Sequence, residues 1–407
     1  MLISQQKITP EWGDLLSVFK RHDKAKDRVV IKRYIPHQYL YWTGSGREAL
    51  RQILLDICGK KNIDNGKKNI INGKKNTNKI SVGIPAYTCH VVLDAVKRAG
   101  CQPIFYDSGV IAAVSEIKKI TKKVDVLLLC YNFGFLPEID KIVGLCRQNK
   151  VLLIEDCAQA LGAEYKGKLA GSFGDYAFYS FGISKNIGFC GGMIASNNHL
   201  ELVGLKKFPK SKLAKISGEA LTSGLFFNKR IYRWTKRFLR KELIKKQEAL
   251  DYRLPTFARK IVLNQLRRYD NILKTRGENA DFCCREFCCR EAGCCRELGR
   301  SLKISGRFTN VVKPNVVRPA KNSNPAWLYF VILSGDREFL IDKLLKESVE
   351  VGKMLTFRCL DGKSRQALKA EKEVLTFALY RKPEEVEFIV NKLKPILAAM
   401  YNDRTRK

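Results

Sequence analysis

Four short apolar runs, at residues 80–85, 102–107, 124–130 and 151–156, punctuate the first half of the chain. They read ISVGIP, QPIFYD, VDVLLLC and VLLIED, rich in β-branched and leucine side chains and too short for helices. Between them, HVVLDAVKRAG and LPEIDKIVGLCRQNK carry apolar residues at helical spacing. Strands that are apolar throughout, rather than at every second position, are buried on both faces. Alternation with helices therefore predicts a largely parallel sheet. YAFYSF and GGMIAS add two more strands. The fold class expected is α/β, with a mostly parallel central sheet and helices on both faces across residues 1–255. A smaller C-terminal α+β domain is expected over 256–407, from a helical stretch starting at Thr256 and the segments WLYFVIL, EFLIDKLLKESVEV and EEVEFIVNKLKPIL.

Two tandem repeats interrupt this pattern. Residues 59–79 read GKKNIDN, GKKNIIN, GKKNTNK, and the recurring Gly and Asn disfavour helix, so a flexible surface insertion is expected. Residues 283–298 repeat CCRE three times. On a helix, a step of five residues turns the first cysteine pair by about 140° and the next step of six by about 240°, so the pairs do not share a face and no metal site is expected. A duplicated helical segment with incidental thiols fits better.

With 75 Lys and Arg against 40 Asp and Glu, the net charge is +35. Such an excess favours phosphate-bearing partners but says nothing of fold. Charge alone does not make a nucleic-acid binder, and no aromatic stacking platform or recognition-helix motif accompanies it. Residues 229–246, KRIYRWTKRFLRKELIKK, set Ile231, Trp234 and Phe238 at helical spacing among cations. That pattern suits a helix packed on a core and also a peripheral contact with an anionic membrane. The sequence opens MLISQQKITPEWGDLL, without a basic region followed by an apolar run, and no apolar stretch reaches spanning length. A soluble cytoplasmic enzyme with reduced thiols is the expectation.

The chemistry concentrates between Leu152 and Ala195. Asp156 ends an apolar strand, and Lys185 lies twenty-nine residues later in SFGISKNIGFCGG. In open α/β sheets, ligands bind at the carboxyl ends of strands, where Asp156 stands. A lysine that can form a Schiff base and a carboxylate that holds a pyridinium nitrogen protonated are two fixtures of a pyridoxal 5'-phosphate (PLP) site. Ser180 and the Gly-rich turn suit an anchored phosphate. Upstream, TGSGREAL precedes a helical run, so first-turn N–H groups and Arg47 could hold a phosphate as well. Taken singly, these features are also an N-cap, a surface lysine and an ordinary capping turn.

In order along the chain, SGREAL, IPAYTCHVVLDAVKRAGCQPIFYD, IEDCAQALGAEYKGKLAGSFGDYAFYSF, SFGISKNIGFCGG and DYRLPTFARKIVLNQLRRYD resemble the DegT/StrS group of sugar aminotransferases, fold-type I PLP enzymes. The resemblance implies an aminotransferase moving nitrogen, from glutamate, to a keto sugar carried on a nucleotide, in two half-reactions that both use the lysine as base. It implies that Lys185 is the Schiff-base lysine and Asp156 the pyridinium partner. Gln159 would lie at the 3-hydroxyl region, Ser180 on the phosphate, and Gly46 and Arg47 at further phosphate contacts. It also implies a homodimer with residues donated across the interface.

This chain departs from the group's pattern in four places. Cys89, beside Tyr87 and His90, stands where an aromatic stacks on the cofactor. Arg47 replaces a threonine. Asp251 replaces an asparagine that reaches the neighbouring subunit's phosphate, with Arg253 or Lys229 able to compensate. MLTFRCLDGK replaces a histidine-bearing substrate loop. A related dehydratase resembles a version with histidine in place of Lys185, and a catalytically silent scaffold or regulator is the answer of another class.

Overall fold

The computed structural model describes residues 3, 11–21, 23–64, 79–182, 185–209, 252–287, 315–353 and 356–405. Helices α1 (Trp12–Leu16) and α2 (Lys24–Lys32) lead to strand β1 (Tyr39–Thr43) and helix α3 (Gly46–Asp64). Then come β2 (Ser81–Pro85), β3 (Tyr87–Cys89), α4 (His90–Arg98), β4 (Gln102–Tyr106), α5 (Val114–Ile120), β5 (Val126–Cys130), α6 (Ile139–Gln148) and β6 (Leu152–Asp156). A small pair, β7 (Glu164–Tyr165) and β8 (Lys168–Leu169), precedes β9 (Tyr176–Ser180) and β10 (Gly192–Ser196).

Seven of these strands form one sheet in the order β1-β10-β9-β6-β5-β2-β4. The pairs from β9 to β4 are parallel, and β10 runs antiparallel to both of its neighbours. Alternate residues of each strand feed two cores. Leu127, Leu129 and Leu153 meet Ile117 and Ile120 of α5 and Ile139 and Ile142 of α6 on one face. Val126, Leu128 and Ile154 meet Leu50 and Ile53 of α3 and Val92 and Val96 of α4 on the other. The sheet is thus covered twice, as its uniformly apolar strands require.

The C-terminal part begins with α7 (Thr256–Arg267) and α8 (Tyr269–Phe287). Helix α7 packs on α1 and α2, tied by Arg268 to Asp14 at 2.6 Å, and its Val262 and Leu266 enter the core shared with α5 and α6. Helix α8 starts in that core at Tyr269 and ends in another, where Ala280, Cys283, Cys284 and Phe287 are buried. This further core belongs to the sheet of β11 (Asn315–Val316), β13 (Tyr329–Leu333) and β15 (Val374–Ala378). Between these lie β12 (Ser323–Asn324), paired with β7, helix α9 (Arg337–Lys346), β14 (Phe357–Cys359), paired with β3, and α10 (Arg365–Glu373). Helix α11 (Pro383–Thr405) closes the chain's described part.

Residues 59–64 of the 59–79 repeat are helical, contrary to the loop expected of them. Helix α3 runs on through Asp64, because extending a helix whose buried stripe is already nucleated costs far less than starting one. Lys60 supports it with an ion pair to Asp56 at 2.7 Å. Residues 65–78 of that repeat, 288–298 of the cysteine repeat, the basic run 229–246 and Asp251 lie outside the described residues. Among the described residues, no group of His, Cys, Asp and Glu is arranged to hold a metal, and no helix is long and apolar enough to cross a membrane.

Candidate active site

The carboxyl ends of β5, β6 and β9 converge where the chain must turn, and the polar residues singled out in the sequence lie along that edge. Strand β6 delivers Asp156 there, buried, on the face that also holds Cys130. The Ala158 N–H donates to Asp156 Oδ1 at 2.9 Å across a turn, and the element that follows is strand β7, so Asp156 is not the helix N-cap its sequence position also suggested. Cys130 stands opposite Asp156 in the β5/β6 ladder and helps to hold its pKa down against that burial. Burial pushes the Asp156 pKa up, and the charge of Lys185 pulls it partly back. A carboxylate in that position gains from any cation brought to it.

Lys185 sits in the turn between β9 and β10, half-buried, with its N–H donating to the Gly182 carbonyl at 2.9 Å. The turn is closed at its base by the Phe181 N–H donating to Gly191 O and the Phe189 N–H donating to Phe181 O. Beyond Lys185 the chain is buried from Asn186 to Phe189.

Gln159 lies in the turn after β6 and is almost fully buried. Its Oε1 accepts from the Phe133 N–H at 2.7 Å, which fixes the side chain, while its Nε2 has no partner among the described residues. A buried amide donor without an acceptor is costly unless a ligand supplies one.

Ser180, the last residue of β9, faces the start of α3. A Cβ placed on Gly46 would stand 2.8 Å from Ser180 Cβ and 3.2 Å from its Oγ, so only glycine lets the two approach. Across the same corner, a Cβ on Gly192 would stand 2.5 Å from the Ser45 carbonyl carbon and 2.6 Å from the Gly46 nitrogen. The Ser45 hydroxyl caps the helix, accepting from the Glu48 N–H at 3.1 Å. The result is a helix N-terminus with the first-turn N–H groups of Gly46 and Arg47 beside a serine hydroxyl, a cradle suited to a phosphate. The Arg47 guanidinium meanwhile pairs with Asp94 of α4 at 3.0 Å.

Cys89 ends β3 and opens α4, half-buried, opposite Phe357 in the β3/β14 ladder. Its neighbour His90 is tied to the Thr356 carbonyl, with the backbone N–H donating at 3.0 Å and the ring Nδ1 at 3.2 Å. Tyr87 packs against Phe357, centroids 5.7 Å apart, and Phe357 stacks on Phe133 at 5.5 Å.

Sequence reasoning missed several members of this edge. Cys130 stands opposite Asp156 in the β5/β6 ladder. Phe133, with a φ of 60°, adopts a left-handed conformation rare for a bulky residue, which turns its N–H toward Gln159. The usable signal was NFG one residue after the strand VDVLLLC, a turn at a carboxyl end. Glu155, the other acid of LLIED, faces away from the site and holds the loop from Gly171 to Gly174.

A model of the DegT/DnrJ/EryC1/StrS aminotransferase family matches residues 75–292, just over half of the chain. The GDP-perosamine synthase of Escherichia coli O157:H7 is 37% identical over 120 residues, which cover 28% of this chain and 33% of that protein. The GDP-perosamine synthase of Vibrio cholerae is 27% identical over 203 residues, 49% of each. The matched segments thus span from a third to half of these relatives' length. Among solved structures, a Streptococcus pneumoniae protein assigned as a sugar aminotransferase, in its PLP form, superposes with a TM-score of 0.67 at 16% identity, covering 98% of this chain and 99% of that one. That likeness establishes the fold.

Proposed function

The chain belongs to the DegT/DnrJ/EryC1/StrS aminotransferase family, and on that premise we propose that it is a PLP-dependent aminotransferase, carrying an amino group from glutamate to a keto sugar borne on a nucleotide. One observation carries the reading. A lysine, a buried carboxylate, a buried amide donor lacking an acceptor and a glycine-lined helix N-terminus meet at one edge of the sheet.

These residues fit the cofactor group by group. Asp156 would hold the pyridine nitrogen, and the positive charge there offsets the burial that raises its pKa. Gln159 Nε2 would donate to the ring oxygen. Ser180 and the N–H groups of Gly46 and Arg47 would hold the phosphate, with the Arg47 side chain left on Asp94. Cys89 would pack its thiol at the ring where relatives of this type place an aromatic. When bound, PLP supplies an aldehyde for covalent attachment of nitrogen and a protonated ring that acts as an electron sink.

The protein's own part is positional and acid–base. The Lys185 amine provides the nucleophile that anchors the cofactor. The same amine would serve as the base that moves the substrate's proton. Asp156, held by the Ala158 N–H, would present its carboxylate to the ring nitrogen. Phe133, fully buried beside Gln159, would keep bulk water from that edge.

We further propose a homodimer with the sites at the subunit interface, acting in the cytoplasm on precursors of a polysaccharide. A lysine rather than a histidine at position 185 favours amino transfer over sugar dehydration. A silent scaffold is distinguished by spectroscopy. With PLP, the purified protein should absorb at about 400 nm, glutamate should bleach that band, a keto-sugar nucleotide should restore it, and Lys185→Ala should abolish it. No band in the wild-type protein overturns the reading.

A further inference from the structure

Behind the Lys185 turn lies a guanidinium that no acid among the described residues answers. Arg276 of α8 is 1% exposed, and among the described residues its partners are a carbonyl and a hydroxyl. Nη2 donates to the Asn186 carbonyl at 2.9 Å, Nη1 to the Tyr269 hydroxyl at 3.4 Å, and Nε has no partner. Burying a charge without a counter-ion is expensive, and an apolar side chain of similar volume would pack there without that cost. What the guanidinium holds must therefore matter more than what it fills.

It holds the backbone next to the lysine, and two neighbours do the same. Gln265 of α7, fully buried, accepts from the Gly188 N–H at 3.0 Å and donates to the Gly188 carbonyl at 3.1 Å. Tyr269 accepts from Asn186 Nδ2 at 3.0 Å and donates to the Leu161 carbonyl at 2.7 Å. The residues one and three positions after Lys185 are thus fastened from helices α7 and α8. On its other side, Arg276 lies over the ring of Tyr380, 5.9 Å from its centroid, just past β15.

We propose that Arg276, with Gln265, is a positioning residue for Lys185. It fixes the segment from Asn186 to Phe189, so that the lysine stays at the Asp156 edge, and it ties that segment to the three-stranded sheet through Tyr380. The catalytic consequence rests on Lys185 being the cofactor lysine, but the clasp itself belongs to the ligand-free protein. A planar fork is required, since a lysine ammonium cannot reach the carbonyl and the hydroxyl in the same geometry.

Hydrogen exchange on the ligand-free protein tests this, with PLP titration as a separate readout. In Arg276→Met and Arg276→Lys, amides from 185 to 191 should exchange about tenfold faster or more, while those of β5 keep their rates. PLP affinity, read from the band at about 400 nm, should fall about tenfold in both variants. Gln265→Leu, which leaves no new charge buried, should loosen the same amides, and it decides the matter if the Arg276 variants do not fold. Unchanged exchange over 185–191, or loosening spread equally over β5, overturns the proposal. If the wild-type protein shows no PLP band, the cofactor reading falls while the exchange data still decide the clasp.

Discussion

Strand β6 places two neighbouring carboxylates on its two faces, and the two surroundings differ in kind. Glu155, fully buried, accepts from the Tyr131 hydroxyl at 2.6 Å and from the backbone N–H groups of Gly171, Phe173 and Gly174 at 2.6–2.7 Å. Asp156 receives one backbone N–H, and its counter-charge is Lys185 in a turn. Burial raises the pKa of both. The first environment is complete within the protein and serves to fasten a loop. The second is short of partners, and that shortage marks it as a place where a ligand completes the hydrogen bonding.

If this contrast is right, the two acids respond oppositely to neutral isosteres. Glu155→Gln turns an amide NH2 toward backbone donors and should cost about 3 kcal/mol in denaturant unfolding, by leaving buried N–H groups unmet. A Glu155→Gln protein as stable as wild type would show that the four bonds do not hold the loop.

Asp156→Asn should act the other way on the ligand-free protein. Because the folded pKa is raised, the contribution of this group to stability is full below the unfolded pKa and is lost as pH rises through the folded value. The asparagine variant should therefore be more stable than wild type at neutral pH by about 1 kcal/mol, with no gain at acid pH, and it should hold PLP poorly. Melting curves of both proteins from acid to neutral pH check this, and a wild-type protein that gains stability over that window through this group would contradict it.

A third expected effect concerns the phosphate cradle. In Gly192→Ala the new Cβ meets the backbone at Ser45 and Gly46, so β10 must shift from the head of α3. Stability should fall by about 2 kcal/mol, and PLP affinity should fall with it. Unchanged phosphate affinity, measured with inorganic phosphate as competitor, would separate that corner from the site.

The contrast also shows what a sequence displays and what it conceals. The sheet was legible because each strand is an uninterrupted apolar run, and Asp156 and Lys185 were legible because each ends or follows such a run. Glu155 was hidden beside them, since an acid next to an acid gives no sign of which face it takes until the strand's register is fixed. Gln265 and Arg276 were hidden for another reason. They meet the lysine turn across 77 and 90 residues of sequence, and inside a helix both read as ordinary polar positions. Gly192 looked like one more flexible residue of the turn, yet it is required by the backbone it nearly touches. The helix running into the first repeat was misread because local propensity was weighed without the buried stripe of α3 before it.

The most direct measurement is to load the protein with PLP, reduce it with borohydride and locate the modified peptide by mass spectrometry. The chain carries 47 lysines, so the position of the tag is informative. Modification at Lys185 as the dominant product, and its loss in Asp156→Asn, is the result predicted here. A tag spread over surface lysines, or placed mainly on another lysine, would contradict the assignment of this site.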